Sequence, residues 1–235
     1  MFNKKRVLLK ISGEVFEKSG NLGYNRNIIN QICGDIKEVY QQGYQICLVI
    51  GGGNICRGSL IIRLGVKRVI ADHMGMLATL INAIALQSKL ESNNLFTSLY
   101  SSVSISSIID QYSRKKATKC IKKGNILIFS FGLGDPYFTT DTSAVLRAIE
   151  MDCSILFKGT HTDGVYSNDP FKNKKSKKYN NISYFDILNK NLKVIDPTAV
   201  TIARDNLLPI RIFNINKKGE FLNVVNNRGI YTDIN

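Results

Sequence analysis

The stretch ICLVIGGGN, residues 46–54, joins a short apolar run to three consecutive glycines and an asparagine. Its apolar part, residues 46–50, predicts a buried strand, because a run of this length with a turn signal directly behind it is typical of a central sheet strand. Glycine has no Cβ, so backbone N–H groups at this turn can approach a bulky anion, and positive φ carries no steric penalty. Ligands of open α/β sheets bind at the carboxyl ends of the strands. The stretch therefore predicts an anion-binding turn, with a plain strand-to-helix turn as the alternative.

The residues before this stretch predict the first βαβ unit of a parallel sheet. RVLLKI at Arg6–Ile11 is typical of a strand, and Asn27–Tyr40 carries an apolar stripe at helical spacing, with Gly43 just beyond it. A strand, a helix and a second strand in this order indicate parallel strands joined by a crossover. Strands and helices alternate to the end of the chain without a repeat or a linker. We therefore predict one α/β domain over residues 1–235.

The same patterns predict the other elements. Asp72 is expected at the start of a long helix, either as its N-cap or as a carboxylate that accepts hydrogen bonds from a ribose diol. One apolar face of this helix carries Met74, Leu77, Ile81 and Ile84. Residues 18–23 are predicted as a polar loop, and residues 101–107 as a loop with a helix start. The remaining strands are predicted at Leu95–Tyr100, Asn125–Phe131, Cys153–Phe157, Pro209–Phe213 and Ile230–Tyr231, and the remaining helices at Ser113–Lys123, Ser183–Leu188 and Thr198–Asn206.

Composition favours a soluble cytoplasmic protein. The chain has 235 residues, 44% of them hydrophobic, which is enough for a sizeable core. No stretch approaches the roughly 18 uninterrupted apolar residues of a membrane helix, and the first residues lack the apolar region of a secretory signal. The five cysteines have neither metal-ligand spacing nor a CxxC pair. Cys33, Cys47 and Cys153 lie in apolar contexts, so we expect reduced core residues.

The formal charge of +14 invites a nucleic-acid interpretation. The charge is spread along the chain, however, with one local run at Lys172–Lys178. Abundant Asn, Ile and Lys are also what an AT-biased genome would produce. No nucleic-acid-reading motif accompanies the charge, so a dedicated nucleic-acid role is not favoured, and the lysine run is expected to be an exposed loop.

Two cations are candidates for binding phosphate. Lys10 lies near the carboxyl end of the first strand, before Ser12 and Gly13. An ammonium group there can reach a phosphate with three donors, and an edge lysine that extends into solvent is the alternative. Arg57 follows the GGGN turn, where its guanidinium can bind a phosphate held by the glycine amides.

A second glycine turn, GLGDPYFTTD, follows the strand predicted at residues 125–131. Thr139 and Thr140 precede a helix, and helix N-termini with free amides bind anions. Asp141 is either a first-turn charge that complements the helix dipole or a group that orients catalysis. Lys158 and Gly159 are predicted to form a third turn behind the strand at 153–157. Several such turns at one sheet edge predict a site for a polyphosphate.

The chain lacks the GxxxxGK[ST] sequence of P-loop enzymes and a GxGxxG that opens a helix after the first strand. What remains is a kinase that works through backbone amides and lysine.

These motifs resemble the bacterial uridylate (UMP) kinases of the amino acid kinase superfamily over essentially the whole chain. The resemblance is carried by LLKISGE at 8–14, VIGGGNICRG at 49–58, ADHMGMLAT at 71–79, GDPYFTTD at 134–141, DGVYSNDP at 163–170 and ARDNLLPIRIFN at 203–214. It implies a three-layer αβα sandwich with a mostly parallel central sheet. It also implies transfer of the γ-phosphoryl group of ATP to UMP with Mg²⁺, within pyrimidine nucleotide biosynthesis.

The resemblance implies three groups of site residues. The expected catalytic residues are Lys10, Arg57 and Asp141, with no protein ligand assigned to the metal. ATP is expected to contact Lys10, Ile11, Ser12, Gly13, Gly53, Arg57, Thr160, Tyr166 and Asp169. UMP is expected to contact Gly52, Asp72, Leu133, Gly134, Asp135, Pro136, Tyr137, Phe138, Thr139 and Thr140.

The chain departs from the family pattern at several positions. Leu133 and Asp135 stand where the family commonly has Thr and Asn. The family's activation by GTP uses arginines, and Gln87, Glu91 and Ser98 stand in those places. Because loss of cations weakens the binding of a triphosphate, we expect reduced or absent activation by GTP. The resemblance also implies inhibition by UTP and a homohexamer.

Two alternatives stay open at this point. One is a basic nucleic-acid-binding or regulatory protein that has lost catalysis, against which the presence of Lys10, Arg57, Asp72 and Asp141 argues. The other is a kinase of the same fold with another acceptor, such as CMP, carbamate or aspartate.

Overall fold

A nine-stranded sheet forms the centre of the molecule in the computed structural model, which describes residues 5–18, 21–105, 108–173 and 175–235. The strands are β1 (Arg6–Ile11), β2 (Glu17–Lys18), β3 (Asn21–Tyr24), β4 (Gln45–Ile50), β5 (Thr97–Ser101), β6 (Asp110–Gln111), β7 (Ile126–Ser130), β8 (Leu156–Thr160), β9 (Val165–Tyr166), β10 (Lys178–Tyr179), β11 (Asn181–Ile182), β12 (Ile210–Asn214) and β13 (Tyr231–Ile234). The helices are α1 (Arg26–Gln41), α2 (Gly58–Arg63), α3 (Arg68–Glu91), α4 (Arg114–Lys122), α5 (Thr140–Glu150), α6 (Tyr184–Asn189), α7 (Pro197–Asp205) and α8 (Glu220–Val225).

The strand order in the sheet is β11-β13-β12-β8-β1-β4-β7-β5-β6. Strands β8, β1, β4 and β7 are parallel neighbours at its centre, and β13 runs antiparallel to β12. The mostly parallel α/β sheet predicted from the sequence is therefore confirmed. The stretch at residues 46–50 lies in β4, one of the central strands, and is buried on both faces as its apolar run predicts.

Helices cover both faces of the sheet, which makes three layers. Alternate residues of β1 point to opposite sides, because the side-chain period of a strand is two. Leu9 and Ile11 pack with α1, α3 and α8, whereas Leu8 packs with α4, α5, α6 and α7. Lys10 lies on the same side as Leu8, so it faces the layer that contains α5.

Several boundaries differ from the sequence prediction. Lys158 and Gly159 lie inside β8 and not in a turn behind a strand, because the strand begins at Leu156, two residues before Lys158. Asp72 is not an N-cap, since α3 begins one turn earlier at Arg68. Residues 17–24 form the β2–β3 hairpin in place of a loop, with residues 19–20 outside the described part of the chain.

Two further differences lie at chain connections. No helix begins within residues 101–105, which instead contain the end of β5 and a bridge from Ile105 to Ile109; residues 106–107 fall outside the described ranges. Helix α8 was not predicted. Its six residues give too short an apolar stripe to be recognised from periodicity alone.

Helix α3 is apolar on two sides. One side packs on the sheet through residues such as Met76, Leu80 and Ala83. The other side is an exposed stripe of Ile70, Met74, Leu77, Ile81 and Ile84, which we call the outer face of α3. Among the described helices, α3 alone is long and apolar enough to suit a membrane span. Its high apolar content is explained by the two faces together, since the inner one belongs to the core of the fold.

Asp35 on α1 is a buried carboxylate that holds the start of α8. Both of its oxygens accept hydrogen bonds from the Gly219 N–H, at 3.0 and 3.1 Å. Burial raises the pKa of this carboxyl to about 6, although the Gly219 amide acts in the opposite direction. The ionised form is therefore less favourable in the folded chain than in the unfolded one.

We predict that Asp35→Asn stabilises the protein above pH 6. The raised pKa means that the contribution of Asp35 to stability is present below about pH 4 and is lost as the pH rises through 6. Asparagine keeps an acceptor for the Gly219 N–H and carries no charge. The variant should exceed the wild type by roughly 1 kcal/mol in urea unfolding at pH 8, and the difference should vanish near pH 4. A wild type that gains on the variant with rising pH would contradict this.

Candidate active site

Two lysines share one buried carboxylate at the centre of the sheet. The Lys10 Nζ lies 2.8 Å from Asp141 Oδ1, and the Lys158 Nζ lies 2.5 Å from Asp141 Oδ2. Each of the three residues is less than a tenth exposed to solvent. We call these three side chains the charge cluster.

The register of the strands explains why the two lysines meet. Lys10 of β1 and Lys158 of β8 are direct partners in a parallel pair, so their side chains emerge side by side on one face. Helix α5 packs on that face and supplies Asp141 in its first turn, where a carboxylate also complements the helix dipole. Asp141 is thus a charge in the first turn of a helix and also the carboxylate that contacts both lysines.

The electrostatics of the charge cluster are asymmetric. Burial alone would raise the pKa of the Asp141 carboxyl, but the two ammonium groups outweigh it and hold that pKa well below its ordinary value. Burial lowers the pKa of Lys158 to about 8, with Asp141 opposing the shift. By formal charge, the single carboxylate neutralises only one of the two ammonium groups. The cluster keeps one excess positive charge in a poorly solvated place, which suits an anion.

The glycine turns behind β1 and β4 contact each other backbone to backbone. A Cβ on Gly13 would lie 2.5 Å from the Gly53 nitrogen, and a Cβ on Gly51 would lie 2.7 Å from the Gly13 nitrogen. A Cβ on Gly52 would meet α3 at Ala78. Close approach thus requires glycine at positions 51 and 52, whereas a Cβ on Gly53 would meet nothing nearer than the Glu14 side chain at 3.4 Å. None of the three has φ above zero, so the positive φ that the sequence suggested is not the reason.

A cavity of about 710 Å³ opens beside the charge cluster. Ser12, Thr160, Tyr166 and Asp169, all of which are predicted to contact ATP, line it together with Lys158. The Lys10 ammonium donates a hydrogen bond to Ser12 Oγ at 3.4 Å, which joins this cavity to the cluster. Ile11 is fully buried, so only its backbone is available to a ligand.

The loop between β7 and α5 leads from the end of the sheet to Asp141. Phe131, Gly132, Gly134 and Tyr137 all have positive φ. Positive φ is unusual for bulky residues such as Phe131 and Tyr137, and backbone strain of this kind is concentrated at functional sites. Tyr137 and Phe138 are exposed, as is Asp135. The loop therefore presents aromatic groups to solvent next to the cluster.

Asp72 contacts this loop from α3. Its Oδ2 accepts a hydrogen bond from the Tyr137 N–H at 2.9 Å, and both of its oxygens lie 2.8 Å from Arg68 Nε. Residues predicted to contact UMP, on α3 and on the β7–α5 loop, are thus neighbours, although 65 residues separate Asp72 from Tyr137 in the chain.

Arg57 lies across the mouth of the glycine turn. Its Nε donates to the Gly53 carbonyl at 3.3 Å, and its Nη2 lies 2.9 Å from Glu17 and 3.4 Å from Glu14. The guanidinium is partly exposed and paired with carboxylates, which would compete with an anion for it. The structure brings Arg57 to the edge of the site and not into the charge cluster.

Sequence reasoning missed two parts of the site. Lys158 was assigned to a turn, although a lysine inside an apolar strand is the same signal that identified Lys10. Asn82 of α3 donates to the Gly51 carbonyl and to Asn54, both at 2.7 Å, and so fixes the GGGN turn. An asparagine on a helix facing a distant loop leaves no pattern in the sequence.

Comparisons with known proteins agree with this fold. A model of the amino acid kinase family matches residues 5–214. The chain is 47% identical to the uridylate kinase of Rickettsia felis over 98% of its own length and 95% of that protein. It is also similar to the crystal structures of UMP kinase from Ureaplasma parvum (36% identity, TM-score 0.92, 98% of both chains) and from Bacillus anthracis (35% identity, TM-score 0.94, 98% of this chain and 96% of that one). A central parallel sheet, paired glycine turns and a buried lysine–carboxylate cluster are thus found in a chain that belongs to the amino acid kinase family.

Proposed function

We propose that the chain is a UMP kinase, which transfers the γ-phosphoryl group of ATP to UMP and yields ADP and UDP for pyrimidine nucleotide synthesis. The observation that carries the proposal is the charge cluster of Lys10, Asp141 and Lys158, placed between a large cavity and a loop of aromatic residues. Relatives that share 47% of the sequence over nearly the whole chain are uridylate kinases, which supports UMP as the acceptor.

The cavity is the proposed donor subsite. Thr160, Tyr166 and Asp169 surround the space for the adenosine of ATP, and Ser12 with Lys158 lies at the end where phosphates would point. Gly13 and Gly53 carry no side chains, so we assign their backbone N–H groups and that of Ile11 to contacts with the phosphates. We assign the phosphate chain of ATP to this end of the cavity.

The β7–α5 loop and Asp72 form the proposed acceptor subsite. Residues 133–140 would surround UMP, with Gly52 below it and the Asp72 carboxylate as an acceptor for a ribose hydroxyl. Asp135 is exposed, so its charge can remain hydrated at some distance from the UMP phosphate. Arg57 would exchange Glu14 and Glu17 for phosphate oxygens when nucleotides bind.

The chemistry of the transfer needs no general base. A phosphate monoester is largely dianionic at pH 7, so an oxygen of UMP can attack the γ-phosphorus directly while the bond to the β-phosphate oxygen of ATP breaks. Asp141 is held ionised with both oxygens paired, so it orients the lysines and takes no proton. Lys10 and Lys158 stabilise the negative charge that spreads over the transferred group.

Magnesium is proposed to arrive with ATP and not to occupy a site built by the protein. Within the described ranges, no group of three His, Cys, Asp or Glu side chains lies close enough to hold a metal ion. Asp141, whose oxygens lie beside the two lysines, is the carboxylate of this part of the site that would orient phosphate-bound Mg²⁺. When bound, the ion would neutralise charge on the phosphates.

We propose that Lys10→Ala lowers kcat by roughly a hundredfold or more, the scale for loss of one electrostatic stabiliser. Asp141 would remain paired with Lys158, so the fold should stay intact. ADP release in a coupled assay measures the rate, and thermal unfolding checks the fold. Lys119→Ala, an exposed lysine on α4, is the matched control. An unchanged turnover in Lys10→Ala would refute the role.

The outer face of α3 supports assembly of this chain with further copies, for which we propose a homohexamer. Ile70, Met74, Leu77, Ile81 and Ile84 follow one another at alternating spacings of four and three residues, and all are exposed. Such a stripe is the seam along which two helices pack. A two-fold contact between α3 helices of two copies would bury the same face on both.

We expect Leu77→Glu to reduce the assembly to smaller species in analytical ultracentrifugation, because a charge would be buried in the seam. Leu207→Asp is the control, since Leu207 is an isolated exposed apolar residue outside this face. An unchanged sedimentation coefficient for Leu77→Glu would exclude this face as an interface.

Regulation is proposed to be simpler than in the family. Gln87 Nε2 donates to Glu91 at 3.1 Å and to Thr97 at 3.0 Å, and Thr97 Oγ1 donates to Glu91 at 2.6 Å. The positions that would carry arginines thus form a neutral-to-acidic patch, which repels a triphosphate. UTP carries the uridine of UMP and is proposed as an inhibitor. A cytoplasmic location suits the five unpaired cysteines.

We expect GTP to leave the rate unchanged within about twofold, as its triphosphate finds no cationic partner at Gln87 and Glu91. Initial rates with and without GTP at a fixed low ATP concentration provide the measurement. Stimulation of several fold would overturn the expectation. Glu91→Arg tests whether an added cation gives a response to GTP. Glu38→Arg on α1 is the control for the change in charge.

A further inference from the structure

The segment Val194–Asp196, between α6 and α7, contacts two members of the charge cluster, Lys158 and Asp141, through its backbone. The Lys158 ammonium donates a hydrogen bond to the Val194 carbonyl at 2.7 Å. The Asp196 N–H donates to Asp141 Oδ2 at 3.4 Å. Ile195 between them is buried among the core residues on this side of the sheet, which fixes the segment in place.

The Asp196 side chain joins the starts of two helices. Its Oδ2 accepts hydrogen bonds from Thr139 Oγ1 at 2.6 Å and from Thr142 Oγ1 at 2.9 Å, at the beginning of α5. Its Oδ1 accepts from the Thr198 N–H at 2.9 Å and so caps α7. One carboxylate oxygen thus serves α7 and the other serves α5.

The contacts on α5 flank Asp141 in the sequence. Thr139 ends the β7–α5 loop and is the N-cap of α5, and Thr142 is fully buried one residue beyond Asp141. A displacement of this turn would move Asp141 relative to Lys10 and Lys158, and would also move the end of the loop. The capping of α7 alone does not require any of these bonds to α5.

We propose that Asp196 is a positioning residue for phosphoryl transfer. It acts through Thr139 and Thr142, which hold the acceptor loop and Asp141 against the two lysines. The inference rests on the proposed function, because it takes the β7–α5 loop as the acceptor subsite.

The test separates positioning from capping with three variants. Asp196→Asn keeps an oxygen for the α7 cap, at which Asn and Asp are about equally good. It replaces the charge-assisted bonds from the two threonine hydroxyls by weaker, reversed bonds from an uncharged amide group. Thr142→Val removes one donor at nearly constant shape, and Thr142→Ser restores it. We expect Asp196→Asn and Thr142→Val to lower kcat/KM for UMP by roughly ten- to a hundredfold, as for small misplacements of reacting groups. Thr142→Ser should return to near the wild-type value, and KM for ATP should change least.

Ser183→Ala is the matched control, because Ser183 caps α6 through the Asp186 N–H at 3.0 Å. It should lower the thermal midpoint without changing the kinetic constants. If Asp196→Asn and Thr142→Val behave in the same way as this control, Asp196 is a helix cap only and the proposal is overturned.

Asp72→Asn distinguishes failure of the inference from failure of the acceptor assignment. If it raises KM for UMP while the Asp196 and Thr142 variants keep wild-type kinetics, the positioning role alone is wrong. If it leaves KM for UMP unchanged, the acceptor subsite is wrong and the positioning role fails with it.

Discussion

The site depends on one carboxylate that is shared by two buried ammonium groups. Without Asp141, Lys10 and Lys158 would be two like charges on adjacent strands in a poorly solvated place, which is costly. With it, the pair is held together and still retains one excess positive charge. The fold produces this arrangement, because the strand register places the lysines side by side and α5 brings the carboxylate to them.

The neighbouring turns consist of glycine because the ends of β1 and β4 approach each other and α3 too closely for a Cβ at Gly13, Gly51 or Gly52. Backbone N–H groups and lysines are enough for phosphoryl transfer, which needs positions and charges more than covalent intermediates. The absence of a general base from the proposed mechanism follows from the low pKa of Asp141 and from the ionised state of the acceptor phosphate.

Much of this arrangement could be predicted from the sequence, and the limits have physical causes. The strands at Arg6–Ile11 and 46–50 and the helix that contains residues 27–40 were correct, because long apolar patterns reflect burial directly. The sequence predicts a turn at Lys158 because Gly159 is typical of a strand end. Gly159 instead lies within β8, where a Cβ would meet the Ile215 side chain. The contacts of Asp196 could not be predicted, since hydrogen bonds between residues more than fifty positions apart leave no local pattern.

The contact between Gly13 and Gly51 makes two distant loops into one mechanical unit. Every amino-acid replacement of a glycine adds atoms, and here the added carbon would meet main chain, which cannot rotate away as a side chain can. No conservative exchange therefore exists at these positions. A larger residue in one loop can be tolerated only if the backbone of the other loop moves away. Residues nearly forty positions apart are therefore expected to change together or not at all.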